Sequence, residues 1–274
     1  MENIDCPICL AKNSSPYKTF RTDLDHSSFS LVKCRCSFIY LNPRPSKNNI
    51  KKYYDSNYLP HSAKKSLFKY FYSLAQKVTF YWKFYIIKRN VTQYQTVLDL
   101  GGGKGDFCNY LNKCNIKTSN YEPNLNKNVT LLDYKNENKT FDLIMLWHSL
   151  EHIHDLKETL DYCNQLLNPN GTVLIAIPNH NAIERKFFKN LWIAYDIPRH
   201  LYHFNYNSFK LLMDKYNFSI KAYYPMYQDT VFNIILSFKS YNFVKLLYIL
   251  IYAFIKILID NKKSSSILYI CKKS

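Results

Sequence analysis

The chain has no apolar run long enough to cross a bilayer, which takes roughly 20 residues. Its longest uncharged stretch, Leu246 to Ile255, is much shorter. It shows no secretory leader, because Met1-Glu2-Asn3-Ile4-Asp5 is acidic and Cys6 follows at once, so a cytosolic location is expected. No internal repeat is visible. Acidic residues are scarce, 20 Asp and Glu against 37 Lys and Arg, which leaves a net charge of +17. Two readings of that charge stand open: an anionic partner such as RNA or an acidic lipid surface, or a general bias toward Lys, Asn and Tyr.

Aromatic residues are plentiful, 25 Tyr and 18 Phe, and exclude disorder over most of the length. With 274 residues the chain can bury one sizeable core and carry a small appendage. In a reducing compartment its eight cysteines are expected as ligands or buried thiols rather than disulfides. Four fall in close pairs, Cys6-Pro7-Ile8-Cys9 and Cys34-Arg35-Cys36, on either side of a hairpin-like stretch. Two such pairs can converge on one tetrahedral ion and hold a segment too small for a core of its own. One closed, structural zinc on Cys6, Cys9, Cys34 and Cys36 is therefore expected, the alternative being four reduced thiols in a strand pair. The second pair has one intervening residue, fewer than zinc knuckles usually have.

The richest segment is Val97-Leu98-Asp99-Leu100-Gly101-Gly102-Gly103-Lys104-Gly105-Asp106-Phe107, an apolar strand entering a glycine-rich turn. Bare backbone there lets a ligand lie against the end of a parallel strand, and Glu122 ends the next strand-like run. A dinucleotide fingerprint starting at Gly101 needs a glycine where Asp106 stands, so a pyrophosphate cradle is excluded. From Thr96 onward strands and helices alternate, which predicts a parallel sheet covered on both faces. Strands are expected over Thr96 to Leu100, Lys117 to Glu122, Val129 to Asp133, Phe141 to Ser149 and Thr172 to Pro178, with Asn168-Pro169-Asn170-Gly171 as a turn before the last. Phe218 to Tyr224 and Ile267 to Lys272 would complete the sheet. Before it, Ser62 to Asn90 reads as one or two helices, with Leu67, Phe71, Leu74 and Val78 at helical spacing. Near the end, Phe232 to Ile259 reads as an apolar helix with Lys245, Tyr248, Tyr252 and Lys256 in one stripe. That helix either lies in a lipid interface, its lysines snorkelling, or packs on protein.

The ordered set Asp99-x-Gly101-x-Gly103-x-Gly105, Tyr121-Glu122-Pro123, Phe141 through His152 and Leu167-Asn168-Pro169-Asn170-Gly171 resembles class I S-adenosylmethionine (SAM) methyltransferases. The cysteine pairs, Asn42-Pro43-Arg44-Pro45 and Asp196 through Phe204 resemble a bacterial branch with a zinc-knuckle-like start, often linked to sugar or cell-surface polysaccharide pathways. The resemblance implies an α/β, Rossmann-like sheet of seven strands, the last antiparallel. It implies a cysteine knuckle over 1–45, a helical linker or lid over 46–94, a SAM-binding core over 95–229, an apolar helical insertion over 230–263 and a final strand over 264–274.

By the same resemblance Gly101, Gly102, Gly103 and Gly105 would admit the methionine end of SAM, Asp99 its ammonium, and Glu122 with Pro123 the ribose. Asp133 would accept from the adenine amine, and Trp147 and His148 would line the junction with the acceptor. An oxygen acceptor must lose a proton, so His148, His200 and His203 are candidate bases. His152 is expected to fix the helix turn after the fourth strand. Arg199 would clamp an acidic group of the substrate or, alternatively, pair with Asp196. The implied function is methyl transfer from SAM to a glycan, nucleotide sugar or lipid-linked saccharide, with peripheral contact to the anionic inner membrane face. An RNA methyltransferase and a non-catalytic adaptor of the same fold are the alternatives. The acceptor atom and the oligomeric state stay open.

Overall fold

A computed structural model describes residues 1–22, 25–54, 66–123, 130–239 and 242–274, with residues 66–75 as backbone alone. In chain order the elements are β1 (Ser14–Arg21), β2 (Ser28–Cys34), β3 (Ile39–Leu41), α1 (Ser66–Asn90), β4 (Thr96–Leu100), α2 (Asp106–Lys113), β5 (Lys117–Tyr121) and α3 (Leu131–Asn136). There follow β6 (Phe141–Trp147), α4 (Leu156–Leu166), β7 (Leu167–Pro178), α5 (Arg185–Phe188), β8 (Tyr202–His203), α6 (Tyr206–Lys215), β9 (Phe218–Pro225), α7 (Tyr227–Ser237), α8 (Phe243–Ile259) and β10 (Ser266–Lys273).

The main sheet runs in the order β5-β4-β6-β7-β10-β9. Strands β4 to β7 pair in parallel, and β10 is antiparallel to both of its neighbours. Leu143 to Leu146 and Val173 to Ala176 are fully buried, as continuous apolar strands covered on both faces must be. The α/β class and the antiparallel last strand are as expected, while the described residues form six strands in this sheet rather than seven. Val129, the first residue of the expected third strand, lies outside the described residues. Thr130 to Asp133 start a helix instead: the Thr130 side chain accepts from the Asp133 backbone and the Asp133 carboxylate accepts from the Thr130 N–H at 2.6 Å. That reciprocal cap outweighs the β-propensity of the segment.

Strand β7 begins at Leu167 rather than Thr172, with a register shift against β6 between Phe141 and Leu143 that accommodates the expected turn. Helix α1 is a single helix; Leu67, Phe71 and Leu74 fall among side chains outside the description, and Val78 is exposed. Its buried anchors lie further on, at Phe84, Ile86 and Ile87.

Strands β1, β2 and β3 make an antiparallel sheet to which β8 adds, Ile39 opposite His203 and Tyr40 opposite Tyr202. The N-terminal hairpin is thus joined to the body of the molecule by a strand more than 160 positions further along the chain, and its core residues Phe38, Tyr40 and Leu41 are continuous with those of the main sheet. The apolar region near the end is two helices, α7 and α8. Helix α8 buries Ile249, Ala253 and Ile257 and exposes Phe243, Val244, Leu247, Ile251, Ile255, Leu258 and Ile259. Tyr248 and Tyr252 stack on one another, with Phe187 edge-on to both. Among the described residues no helix is long and apolar enough to cross a membrane.

Candidate active site

The glycine turn leaves β4 at the edge where β5 and β6 also end. Gly101 has φ +79° and lies so close to Ser149 that a Cβ would sit 2.5 Å from that residue's own Cβ. Gly103, at φ +54°, has no atom of the described residues within 4 Å of where a Cβ would be. Gly102 abuts Asp99 and Asn120, and Gly105 caps α2. The Glu122 carboxylate accepts from the Gly103 N–H at 3.3 Å, and Asn120 donates to the Gly103 carbonyl at 2.9 Å, so two side chains of the β5 end fix the turn. Pro123 is exposed beside them.

Beneath the turn Asp99 is almost wholly buried, and among the described residues its Oδ1 has no hydrogen-bond partner. Burial pushes its carboxyl up to about 6, against the pull of the Lys83 ammonium. Lys83 comes from α1, its Nζ 4.2 Å from the centre of the Trp147 ring and 5.1 Å from that of Phe107. Burial lowers Lys83 to about 8, opposed by Asp99 and Asp229. The Trp147 indole N–H is buried, with no acceptor among the described residues. An open main-chain shelf, a buried anion with a spare oxygen and a second acid at the ribose distance in sequence fit a ligand that carries a cation and no phosphate, as SAM does.

The three candidate bases do not converge. His148, with φ +52°, follows β6 and sits between two carboxylates, Asp229 Oδ2 at 3.0 Å from Nε2 and Glu151 Oε1 at 3.5 Å from Nδ1. Partial burial would lower it, and the two acids outweigh that and raise it to about 10. The two acids thus favour the protonated ring, which bears against His148 acting as the base. His200 meets the same Glu151 from the other side, Nε2 to Oε1 at 4.0 Å, while its Nδ1 bonds the Ala194 carbonyl at 2.9 Å. His203 is apart, packed on the rings of His180 and Tyr195, and burial holds it neutral.

Two further candidates are engaged within the protein, Arg199 in the alternative pairing with Asp196. Asp133 is occupied as the cap of α3, so its carboxylate serves Thr130. Arg199 is occupied too, its Nε donating to both oxygens of Asp196 at 3.0 and 2.9 Å and its Nη1 to the Tyr53 carbonyl at 3.0 Å. The unclaimed cations lie elsewhere: Lys18 Nζ and Arg185 Nη1 approach the Tyr195 hydroxyl at 3.3 and 3.2 Å, and among the described residues neither forms an ion pair. The four cysteines do converge, Cys6 Sγ to Cys36 Sγ at 3.6 Å and Cys9 Sγ to Cys34 Sγ at 3.4 Å, all four within 4.8 Å. Sulfurs bound to zinc at about 2.3 Å stand at nearly this spacing, so the donor set fits the ion.

Sequence reasoning missed Lys83, Glu151 and Asp229. His148-x-x-Glu151-His152 carried a signal, since three- and four-residue spacings bring side chains to one side of a tight turn. Asp229 carried none, being a single acid in an apolar region that only the tertiary fold brings to His148.

Residues 67–223, more than half of the chain, match a family model described as a methyltransferase domain. The fold and the site define a class I methyltransferase architecture. The chain belongs to the methyltransferase domain family, a family of SAM-dependent enzymes. No curated protein sequence matches it. Similar solved structures include a SAM-dependent methyltransferase from Archaeoglobus fulgidus, 18% identical with a TM-score of 0.46, over 74% of this chain and 100% of that one. Another is phosphoethanolamine N-methyltransferase 2 of Haemonchus contortus in complex with SAM, 16% identical with a TM-score of 0.45, over 69% of this chain and 51% of that one. A third is a mitomycin 7-O-methyltransferase, 10% identical with a TM-score of 0.42, over 69% and 50%. The chain spans about half the length of the last two.

Proposed function

We propose that this protein transfers a methyl group from SAM to a saccharide that carries phosphate, a nucleotide sugar or a lipid-linked sugar, at the cytosolic membrane face. The observation that carries the SAM reading is the pairing of the open Gly103 shelf with the buried Asp99 carboxylate, whose Oδ1 has no hydrogen-bond partner among the described residues. In this proposal the turn of Gly101, Gly102, Gly103 and Gly105 receives the methionyl end, Asp99 faces the ammonium, and Glu122 with Pro123 takes the ribose. One carboxylate can accept from two hydroxyls at once. Trp147 supplies an apolar wall and its indole N–H. SAM, when bound, supplies an electrophilic methyl on a sulfonium.

What the chain then contributes is chiefly alignment, which can account for many orders of magnitude when reacting atoms are held in line. His148, fixed by Asp229 and Glu151, orients the acceptor side of that arrangement and is assigned a positioning role. Lys18 and Arg185, half-buried cations with tyrosine hydroxyls between them and no acid paired to either among the described residues, support an anionic acceptor. The exposed apolar face of α8, with Lys245 and Lys256 flanking it, supports docking on lipid. The hairpin cysteines hold one structural zinc.

Isothermal titration with SAM tests the cofactor, and labelled methyl transfer into host extract sorted into lipid, saccharide and RNA tests the acceptor. Saturable SAM binding with label in the saccharide or lipid-linked fraction is expected. No binding by folded protein would overturn the SAM reading, and label in RNA the acceptor reading.

A further inference from the structure

Glu151 is the most conspicuous polar group that methyl transfer leaves unexplained. It is wholly buried, and among the described residues neither carboxylate oxygen receives a hydrogen bond. Burying a carboxylate is costly, and the His148 ring, 3.5 Å from Oε1, offsets part of that cost from one side only. Two imidazoles face it. The Nδ1 of His152 lies 3.0 Å from the Arg199 carbonyl and the Nδ1 of His200 lies 2.9 Å from the Ala194 carbonyl. A carbonyl only accepts, so each Nδ1 directs a hydrogen toward it, that of His152 also standing 3.0 Å from the Tyr54 hydroxyl, and Nε2 is the ring nitrogen left for an ion. That is the hydrogen-bonding arrangement of metal-ligating histidines, in which the distal nitrogen donates to a backbone carbonyl and so sets tautomer and ring direction.

One ligand atom from each of Glu151, His152 and His200 lies within 4.8 Å of the others, the two rings being 4.7 Å apart at their centres. Bonds of about 2.0–2.2 Å to one ion place ligand atoms roughly 3–4 Å apart, a contraction that side-chain rotation alone supplies. The other charged groups facing this centre are Asp196, with Oδ2 3.7 Å from His200 Nε2, its partner Arg199, and His148 at 3.5 Å from Glu151. A divalent ion at the centre is attracted by the carboxylate and can take one ring nitrogen from each imidazole.

The structure assigns to Glu151, His152 and His200 a binding site for a divalent first-row transition metal. Two imidazoles and a carboxylate make a hard-to-borderline set suited to Mn(II), Fe(II) or Zn(II), and three protein ligands leave a position open to an exogenous oxygen. It thereby differs from the closed, all-thiolate set of the N-terminal hairpin. The inference concerns binding alone and does not rest on the methyltransferase reading.

The full-length protein is titrated with Mn(II) and followed by electron paramagnetic resonance, and its zinc content is measured after dialysis against Zn(II). Mn(II) has little affinity for a thiolate set, so its signal isolates the histidine site from the cysteines. The expected result is one Mn(II) bound per chain and two equivalents of zinc. Glu151→Gln and His200→Asn should each weaken Mn(II) binding at least tenfold and remove one zinc, with the other retained on the cysteines. Wild-type protein that binds no Mn(II) and a single zinc overturns the assignment without reference to any variant, as do folded variants that bind Mn(II) as tightly as wild type. SAM titration of the same samples reports separately on the cofactor reading.

Discussion

The turn after β4 and the cluster around Glu151 follow the ends of two neighbouring strands, β4 and β6, and they are built from opposite materials. The turn is main chain: its shape comes from left-handed glycines, and its open face is a place where a side chain is missing. The cluster is dense side chain, with Asp229 arriving from α7, His200 from the loop before β8 and Glu151 and His152 from the short turn after β6. One region receives a ligand by leaving room. The other holds charge by packing it. A shelf tolerates little addition of atoms, and a cluster tolerates little removal.

The sharpest way to break that contrast is on the shelf itself. Gly101→Ala combines left-handed strain with a collision against Ser149, about 2–6 kcal/mol together, and should be visible both in denaturant unfolding and as loss of SAM binding. Gly103→Ala meets no neighbour among the described residues, so it should cost only about 1–2 kcal/mol of backbone strain while SAM affinity falls more than tenfold. Equal SAM binding by Gly103→Ala and wild type would show that nothing lies on the shelf.

A second, smaller effect is a pH dependence. Burial places Asp99 at about 6, so as pH falls through that value the carboxyl takes up a proton and its attraction for a cationic ligand disappears. SAM affinity measured by calorimetry should drop below pH 6, and Asp99→Asn should flatten the profile. Lys83→Met should move the midpoint upward, because the ammonium that opposes the shift is gone.

On the outer surface the expected change is confined to docking. Leu247 and Ile251 are exposed on α8, so Leu247→Glu with Ile251→Glu should abolish flotation with anionic liposomes and leave unfolding within about 0.5 kcal/mol of wild type. The smallest effect separates a cap from a contact. Asp133→Ala should cost about 1 kcal/mol through α3, with SAM affinity unchanged.

How much of this was legible in the sequence follows the same division. Asp99, the glycines and Glu122 lie within 24 consecutive positions, and the geometry they make is local, so spacing alone located the turn. The alternation of strands from Thr96 gave the sheet for the same reason, one face period at a time. The cysteine pairs met because a hairpin of two short strands folds its ends together. What stayed illegible was whatever depended on a partner far along the chain. Arg199 had an acid three residues before it, and only the fold showed that Asp196 claims the guanidinium. His148 looked like a base because Asp229 was 81 positions distant. Asp133 was misread at close range, where the T-x-x-D cap competed with an expected strand and won.

Strand β8 and Leu201 just before it tie the cysteine hairpin to the interior: Leu41 N–H donates to the Leu201 carbonyl at 2.9 Å, and Leu201 N–H donates to the Glu151 carbonyl at 2.8 Å. The opening residues therefore act as a splint, not as a detachable ornament. Excising them to obtain a tidy catalytic fragment would release the segment that carries His200 and unpin the turn beneath it, so a shortened version would keep its glycine shelf and lose the opposite wall.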